Sequence, residues 1–403
     1  MMQISNGEKG DTGMTSNLQQ QSHQCARSGE EIRPFVLNIP QEQVNDLHGR
    51  LRRARIPERE TVADSSQGIP VKVVEDLCRY WLEEHDWRRL ESEFNNLGQW
   101  QTEIDGLAIH FLHVRSARPD ARPLLITHGW PGSVVEHLDI AGALADPPVD
   151  QPAFHLVLPS LPGFGFTAKP KAPGWGLERI ADAWAELMRR LGYERFLAQG
   201  GDWGAMITAA LAIRHPERVA MMHTTVPWAP RPADANDDQL TGLERSWLAY
   251  YKDFRERGMA YAHLNATRPQ LLGYSLVDSP VGQLAWLADF MIRHSDIDDN
   301  GNSLIPRARI VDNVAVYWFG ATGASSARIY YESLGKMNMV APITVPAAVS
   351  VPPKELMKLP RAWVEARFKD LRYWSKLEQG GHFASLETPS VFIDELRRAF
   401  VLA

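Results

Sequence analysis

Cysteine is nearly absent: Cys25 and Cys78 are the two in 403 residues. A disulfide framework is excluded, and Cys25 stands in a polar tail that gives pairing little to work with. A reducing, cytoplasmic location fits. Positive charge is not in excess either. Forty-three Lys and Arg against forty-nine Asp and Glu leave a formal net charge of −6. That balance gives nucleic acid or an anionic membrane no electrostatic handle. Long apolar runs are also missing. The opening MMQISNGEKGDTG holds no apolar signal core. The nearest approach to a membrane span, Met337 to Pro353, is broken by Asn338, Thr344, Ser350 and four prolines. It reads as a buried strand with its approaches, so no membrane anchor is expected.

What remains is ordinary for a soluble globular enzyme, at 44% hydrophobic and 23% charged residues. Residues 1–30, rich in Gln, Ser, Asn and Gly, read as a disordered tail. From 31 to 98 the pattern is helical, with Val44, Leu47 and Leu51 at helix spacing and VKVVEDLCRYWLEEHDWRRLESEFNNL continuing it. Period-two alternation then begins. WQTEI and LAIHFLHV read as a hairpin across Asp105-Gly106. PLLIT, FHLVLPSL, RFLAQ and VAMMHTT are short apolar strands, alternating with amphipathic helices such as LERIADAWAELMRR, stopped by Gly192. Strands alternating with helices predict a mostly parallel sheet with helices on both faces. The alternation stops over 227–335, a helical and aromatic stretch, and resumes in ITVPAAVSV and RYWSKL. The expected layout is thus an α/β core over 99–226 and 336–403. A helical lid of 227–335 is inserted above the carboxyl ends of the strands, where ligands bind.

Four stretches fall at strand ends. Gly200-Gly201-Asp202-Trp203-Gly204 has the small-x-nucleophile-x-small layout of a nucleophile elbow, with aspartate where serine is usual. His128-Gly129-Trp130-Pro131-Gly132-Ser133 follows PLLIT. In such a fold one oxyanion N–H comes from that loop and one from the residue after the nucleophile, here Trp130 and Trp203. Glu355 follows ITVPAAVSV, and His382 follows Gly380-Gly381. Nucleophile, acid, histidine is the chain order of an α/β-hydrolase triad. Glu365 is a rival acid, although RAWVEARF suits a solvated helix face better. Each stretch alone also suits a turn or a surface cap. Together, in order and each at a strand end, they favour a triad.

These stretches, with LPGFGFT, a TRP…DSPVG segment and GGHFASLE, make the chain similar to the microsomal-type epoxide hydrolases of the α/β-hydrolase superfamily from about residue 33 to the end. The resemblance implies an α/β-hydrolase fold with a lid and a helical N-terminal segment, and conversion of an epoxide and water to a vicinal diol. It implies Asp202 as nucleophile, His382 as base and Glu355 as its partner. It also implies two lid tyrosines that protonate the ring oxygen. Tyr261 precedes TRP, and Tyr330 lies in ARIYYES, with Tyr331 its rival. No cofactor or metal is implied. The substrate would be a small-molecule epoxide, and thirteen tryptophans raise the expectation of a bulky aromatic one. A homodimer is compatible.

Other patterns are set aside. Asp296 to Gly301 opens like a calcium loop, but its twelfth position is Arg307. His110 and His113 lie three apart on a strand and face opposite sides. GFGF at 163–166 reads as a loop that positions backbone beside the site. A haloalkane dehalogenase also uses an elbow aspartate but needs no lid phenols, and a non-enzymatic binding relative would not need the triad.

Overall fold

The computed structural model describes residues 30–336 and 340–403. Cys25 and the tail read as disordered lie outside them, Glu30 excepted, as do the first three residues of the apolar stretch from Met337.

The N-terminal segment runs through β1 (Arg33–Pro34), α1 (Gln41–Arg52), α2 (Val71–Glu83) and α3 (Trp87–Asn96). Val44, Leu47 and Leu51 form the buried stripe of α1. The long helical pattern after Val71 makes two helices, because the chain turns at Glu84–Asp86. The Asp86 carboxylate there accepts the Arg88 N–H at 2.9 Å and caps α3. The hairpin pairs β2 (Gln99–Ile104) with β3 (Leu107–Val114). Its turn residues Asp105 and Gly106 have φ of 52° and 74°, the sign that a two-residue hairpin turn needs.

The core then alternates: β4 (Arg122–Thr127), α4 (Leu138–Ala145), β5 (Phe154–Pro159), α5 (Leu177–Arg190), β6 (Phe196–Gly200), α6 (Asp202–Arg214) and β7 (Val219–Thr224). Between β7 and the next strand come α7 (Gly242–Asp253), α8 (Ala260–Thr267), α9 (Pro269–Asp278), α10 (Pro280–Arg293), α11 (Arg307–Phe319) and α12 (Gly323–Ser333). The sheet resumes with β8 (Ile343–Val351), α13 (Arg361–Arg367) and β9 (Phe368–Lys376), followed by α14 (Ala384–Glu387) and α15 (Pro389–Phe400). β9 starts at Phe368 rather than Arg372, since its first residues pair with β8 from Ile343 onward.

The nine strands form one sheet in the order β1-β2-β3-β5-β4-β6-β7-β8-β9. From β5 to β9 every neighbouring pair is parallel, and from β1 to β5 antiparallel. After β4 the chain steps to one side to form β5, then returns to the other side as β6. The reversal opens a crevice at the carboxyl ends of β4 and β6, where α/β sheets bind ligands. Helix α5 packs on α6, and α4 on α15. The wholly buried Trp184 and Leu187 of α5 each contribute about 1.5–3 kcal/mol through burial.

Besides His382, five of the described histidines are buried in this frame: His110, His128, His137, His223 and His294. Burial pushes them down to about 3, 4, 3, 3 and 2 respectively. His137 and His294 have no hydrogen-bond partner on either ring nitrogen. In the unfolded chain each takes a proton near pH 6.5, and in the folded chain only well below that. The unfolded state therefore binds more protons across this window, and stability falls as pH drops from about 6.5 toward 3. The slope is about 1.4 kcal/mol per pH unit for each histidine. Glu136 and Glu387, raised by burial, oppose it in part. Urea unfolding at pH 7, 6 and 5 should give a steadily falling free energy with proton uptake on unfolding. A flat profile would remove this account.

Candidate active site

The four strand-end stretches converge at the crevice. Thr127 at the end of β4 pairs with Gly200 at the end of β6, and Val351 of β8 with Lys376 of β9. The turns that follow these strands therefore open on the same edge.

After β6 the chain reverses into α6 within two residues. Asp202 sits at φ 48°, left-handed backbone that costs a non-glycine residue about 1–3 kcal/mol. The flanking small residue is required by close approach: a Cβ on Gly204 would lie 1.9 Å from the Thr127 carbonyl oxygen. The strain points the carboxyl group away from the sheet, into the crevice. Its Oδ1 accepts the Trp130 backbone N–H at 2.8 Å, and its Oδ2 lies 3.2 Å from His382 Nε2. Trp203 is in the first turn of α6, where backbone N–H groups have no partner within the helix.

His382 meets Glu355 on its other ring nitrogen: Nδ1 is 3.0 Å from both carboxylate oxygens. Glu355 is wholly buried and also accepts the Leu356 N–H at 2.7 Å. Burial works against the charged imidazole, but the Glu355 and Asp202 carboxylates prevail and hold it well above its ordinary value. Glu365 lies away from the site, exposed on α13 and paired with Arg361 at 2.7 Å.

Tyr261 and Tyr330 enter from α8 and α12 and hydrogen-bond each other. Tyr330 is 3% exposed, whereas Tyr331 is 48% exposed, with the Lys336 ammonium over its ring. The Trp130 ring stacks on Tyr261 at 5.3 Å and meets Tyr330 edge-on at 5.6 Å. Burial, with the charge of Asp202 behind it, raises both phenols above their usual range, so both stay protonated at neutral pH. These five residues, with Trp203, border one cavity of about 170 Å³, walled further by Met206, Val226, Trp228, Phe254, Met259 and Leu356. Two of the thirteen tryptophans, Trp203 and Trp228, line it.

The Trp130 loop is held from above and below. His128 accepts the Leu161 N–H on Nε2 at 3.2 Å and donates from Nδ1 to the Gly129 carbonyl at 2.9 Å. From α11, Asn313 donates to the Pro131 carbonyl at 2.8 Å and accepts from the Ser133 hydroxyl at 2.7 Å. Tyr317 donates to the Gly132 carbonyl at 2.8 Å. Helix α11 is itself anchored to the N-terminal segment and to α4. Arg309 pairs with Glu93 at 2.8 Å and with Asp139, and the buried Asp312 takes His85 at 2.9 Å and Arg89 at 2.5 Å. The helical leader thus supports the site through α11.

The loop that opens like a calcium site performs a different task. Asp298 accepts the N–H groups of Asn300 and Asn302, turning the chain on itself. Asp296 accepts the Gly380 N–H at 3.0 Å and gives its own N–H to Glu387 at 2.6 Å. The His382 N–H donates to the His294 carbonyl at 3.0 Å. This loop therefore clamps the turn that carries His382. His110 bonds Ser160 and Gln99, while His113 bonds Tyr193, each on its own side of β3. Within GFGF, the Gly163 carbonyl accepts from Ser325 of α12 at 2.6 Å, joining that loop to the helix of Tyr330.

Asn313, Tyr317 and Glu136 are residues near the site that the sequence reading passed over, while Asp296 was set aside with the calcium-like loop and Glu387 ends GGHFASLE without a role of its own. Glu136 had a signal within reach, three residues past the Ser133 that ends the Trp130 loop.

Residues 32–137 match the model of the epoxide hydrolase N terminus, and residues 122–261 that of the alpha/beta hydrolase fold. The chain is 45% identical to a Stigmatella aurantiaca protein assigned as an epoxide hydrolase, over 92% of this chain and 84% of that one. It is 31% identical to epoxide hydrolase 1 of Oryctolagus cuniculus, over 91% of this chain and 88% of that one. The epoxide hydrolase structure from Aspergillus niger superposes with a TM-score of 0.84 at 32% identity, covering 93% of this chain and 97% of that one. Among the described residues no helix is long and apolar enough to cross a membrane. With the α/β-hydrolase fold, the aspartate elbow and these likenesses together, the chain belongs to the epoxide hydrolase family.

Proposed function

We propose that this chain opens an epoxide through a covalent ester on Asp202 and hydrolyses that ester with His382. The observation that carries the reading is the meeting of two paired phenols with an Asp202–His382–Glu355 chain on one small cavity.

Asp202 Oδ2 attacks one epoxide carbon from behind. The ring C–O bond breaks, and Tyr261 or Tyr330 gives its proton to the departing oxygen. Oδ1, already on the Trp130 N–H, becomes the ester carbonyl oxygen. Esterification removes the Asp202 charge, one of the two that hold the His382 proton, so His382 releases that proton to solvent and regains one when the Asp202 charge returns at the end of the cycle. His382, oriented by Glu355, then takes a proton from water as the water oxygen bonds to the ester carbon. The oxyanion forms on Oδ1 against the Trp130 and Trp203 N–H groups. Collapse breaks the bond to the substrate oxygen, which takes the His382 proton and leaves as diol. The acid proton left on Asp202 returns through water to the tyrosinate. A serine adduct would be an ether that water does not readily cleave, which is the chemical reason for aspartate at the elbow. Helices α7–α12 act as the lid that excludes solvent from these steps.

The cavity volume of about 170 Å³ falls below the roughly 300–1,000 Å³ of pockets for drug-sized ligands. It favours a compact, apolar epoxide over a polycyclic one, in place of the bulky substrate that the tryptophan count brought to mind. Single turnover in ¹⁸O-water tests the mechanism. The expected result is label in the Asp202 carboxylate and an unlabelled first-turnover diol, because the diol oxygen comes from Asp202. Label in the diol with none on Asp202 would mean direct attack by water and would sink the covalent route.

A further inference from the structure

Glu136 is a third carboxyl group at this site, and the mechanism above leaves it without a task. It lies in the short turn Val134–His137 after the Trp130 loop. Glycines make room for it: a Cβ on Gly132 would fall 1.4 Å from Glu136 Oε1. The Gly129 N–H donates to its carboxyl. On its other side Gly129 touches Asp202, where an added Cβ would lie 2.2 Å from Oδ1. One residue thus separates the two carboxyl groups. Part of the Glu136 surface stays accessible, so a water can reach it. A buried water needs two to four polar partners, and Asp202 and His382 both act electrostatically on Glu136.

We propose that Glu136 binds the water that hydrolyses the Asp202 ester. The proposal rests on the covalent reading above and assigns a residue to its second half. Hydrolysis uses one water proton, which passes to His382 Nε2 as the water oxygen bonds to the ester carbon. The other O–H needs an acceptor that aims the oxygen lone pair at that carbon, and the Glu136 carbonyl oxygen supplies it. The second proton stays on the attacking oxygen, so Glu136 neither gains nor loses one.

Its protonation suits this role. Burial, then the Asp202 charge, pushes Glu136 up to about 8, with His382 and the Gly129 N–H acting the other way. At neutral pH it is uncharged and does not set a second anion beside the nucleophile. Tyr317 of α11 also acts on it and is protonated, and His137, next to it in the chain, is neutral through burial.

Rapid-quench single turnovers with styrene oxide, read by intact-protein mass, separate ester formation from ester hydrolysis. Glu136→Leu keeps the volume but has no acceptor. It should form the ester near the wild-type rate and hydrolyse it about 100-fold more slowly, the scale of a misplaced reactant. Glu136→Gln keeps a carbonyl acceptor and should restore most of the hydrolysis rate. Wild-type hydrolysis in the Leu protein, or a Gln protein as slow as Leu, overturns the proposal. Should Glu136→Leu fail to fold, the hydrolysis rates of wild type and Glu136→Gln are compared across pH 6–10. Their ratio should change where Glu136 ionises, and parallel profiles overturn the proposal. A His382→Gln control keeps the two readings apart. Ester in that control but none accumulating in Glu136→Leu defeats this inference alone, and ester in neither defeats the covalent mechanism beneath it.

Discussion

His382→Gln should arrest the enzyme as a stable ester, with about one equivalent of epoxide consumed and the protein heavier by the mass of the substrate. The reason is the division of labour proposed around Asp202. In that mechanism ring opening needs the Asp202 carboxylate and a proton for the ring oxygen, which Tyr261 and Tyr330, lining the same cavity, would supply. His382 reaches Asp202 Oδ2 at 3.2 Å, with its second nitrogen committed to Glu355. Glutamine there retains a polar side chain but no base. Diol turnover should fall by about 10²–10⁴, the range for loss of a positioned general base, while the first alkylation survives. Asp202→Asn should show no adduct at all. Ester that still forms in the His382 protein but more slowly than in the wild type would mean that the histidine, charged in the free enzyme, serves ring opening as well. Continued diol formation would mean that another base activates water.

Glu355→Gln is a milder version of the same experiment. It keeps the shape and removes the charge that helps hold the His382 proton, so hydrolysis should slow less than in His382→Gln.

Legibility followed the locality of the constraint. The elbow was visible because the backbone there needs Gly204 for close approach and a residue forced into left-handed conformation at Asp202. Both demands act within five residues. The parallel sheet was equally plain, since each strand buried on both faces writes a short apolar run such as PLLIT. The choice of Tyr330 over Tyr331 was not local. Successive residues of a helix point about 100° apart, and only the packing of α12 against Trp130 and Trp203 decides which one enters the site. Glu355 over Glu365 turned on burial in the same way. Least legible were the residues that hold the site without touching its chemistry. Asn313 and Tyr317 sit some 180 residues beyond the loop they support, and nothing in a helix pattern marks them. The cavity was hidden too, because a count of tryptophans does not say where they point.

Changing both Tyr261 and Tyr330 to phenylalanine should abolish ester formation for practical purposes, with a loss of about 10²–10⁴ in the alkylation rate and the fold intact. An epoxide strained enough to react still releases an alkoxide, far too basic to leave unaided near pH 7. Two phenols held protonated by burial can donate to that oxygen from above. Each single variant should lose less than the pair, since the remaining phenol still reaches the oxygen. The pair also packs on Trp130, Trp203 and Phe290, so a structural role alone would slow the enzyme as well. The substrate series separates the two. If the tyrosines protonate the ring oxygen, epoxides bearing electron-withdrawing substituents, whose alkoxides need less help, should lose less rate in the double variant. If they only shape the cavity, the loss should follow substituent size and ignore its electronics. Ester hydrolysis offers a second discriminator. It uses no phenolic proton in the bond-breaking step, so preformed ester should decay at close to the wild-type rate in the double variant. A matching collapse of hydrolysis would place the damage in the shape of the site and remove the tyrosines from acid catalysis.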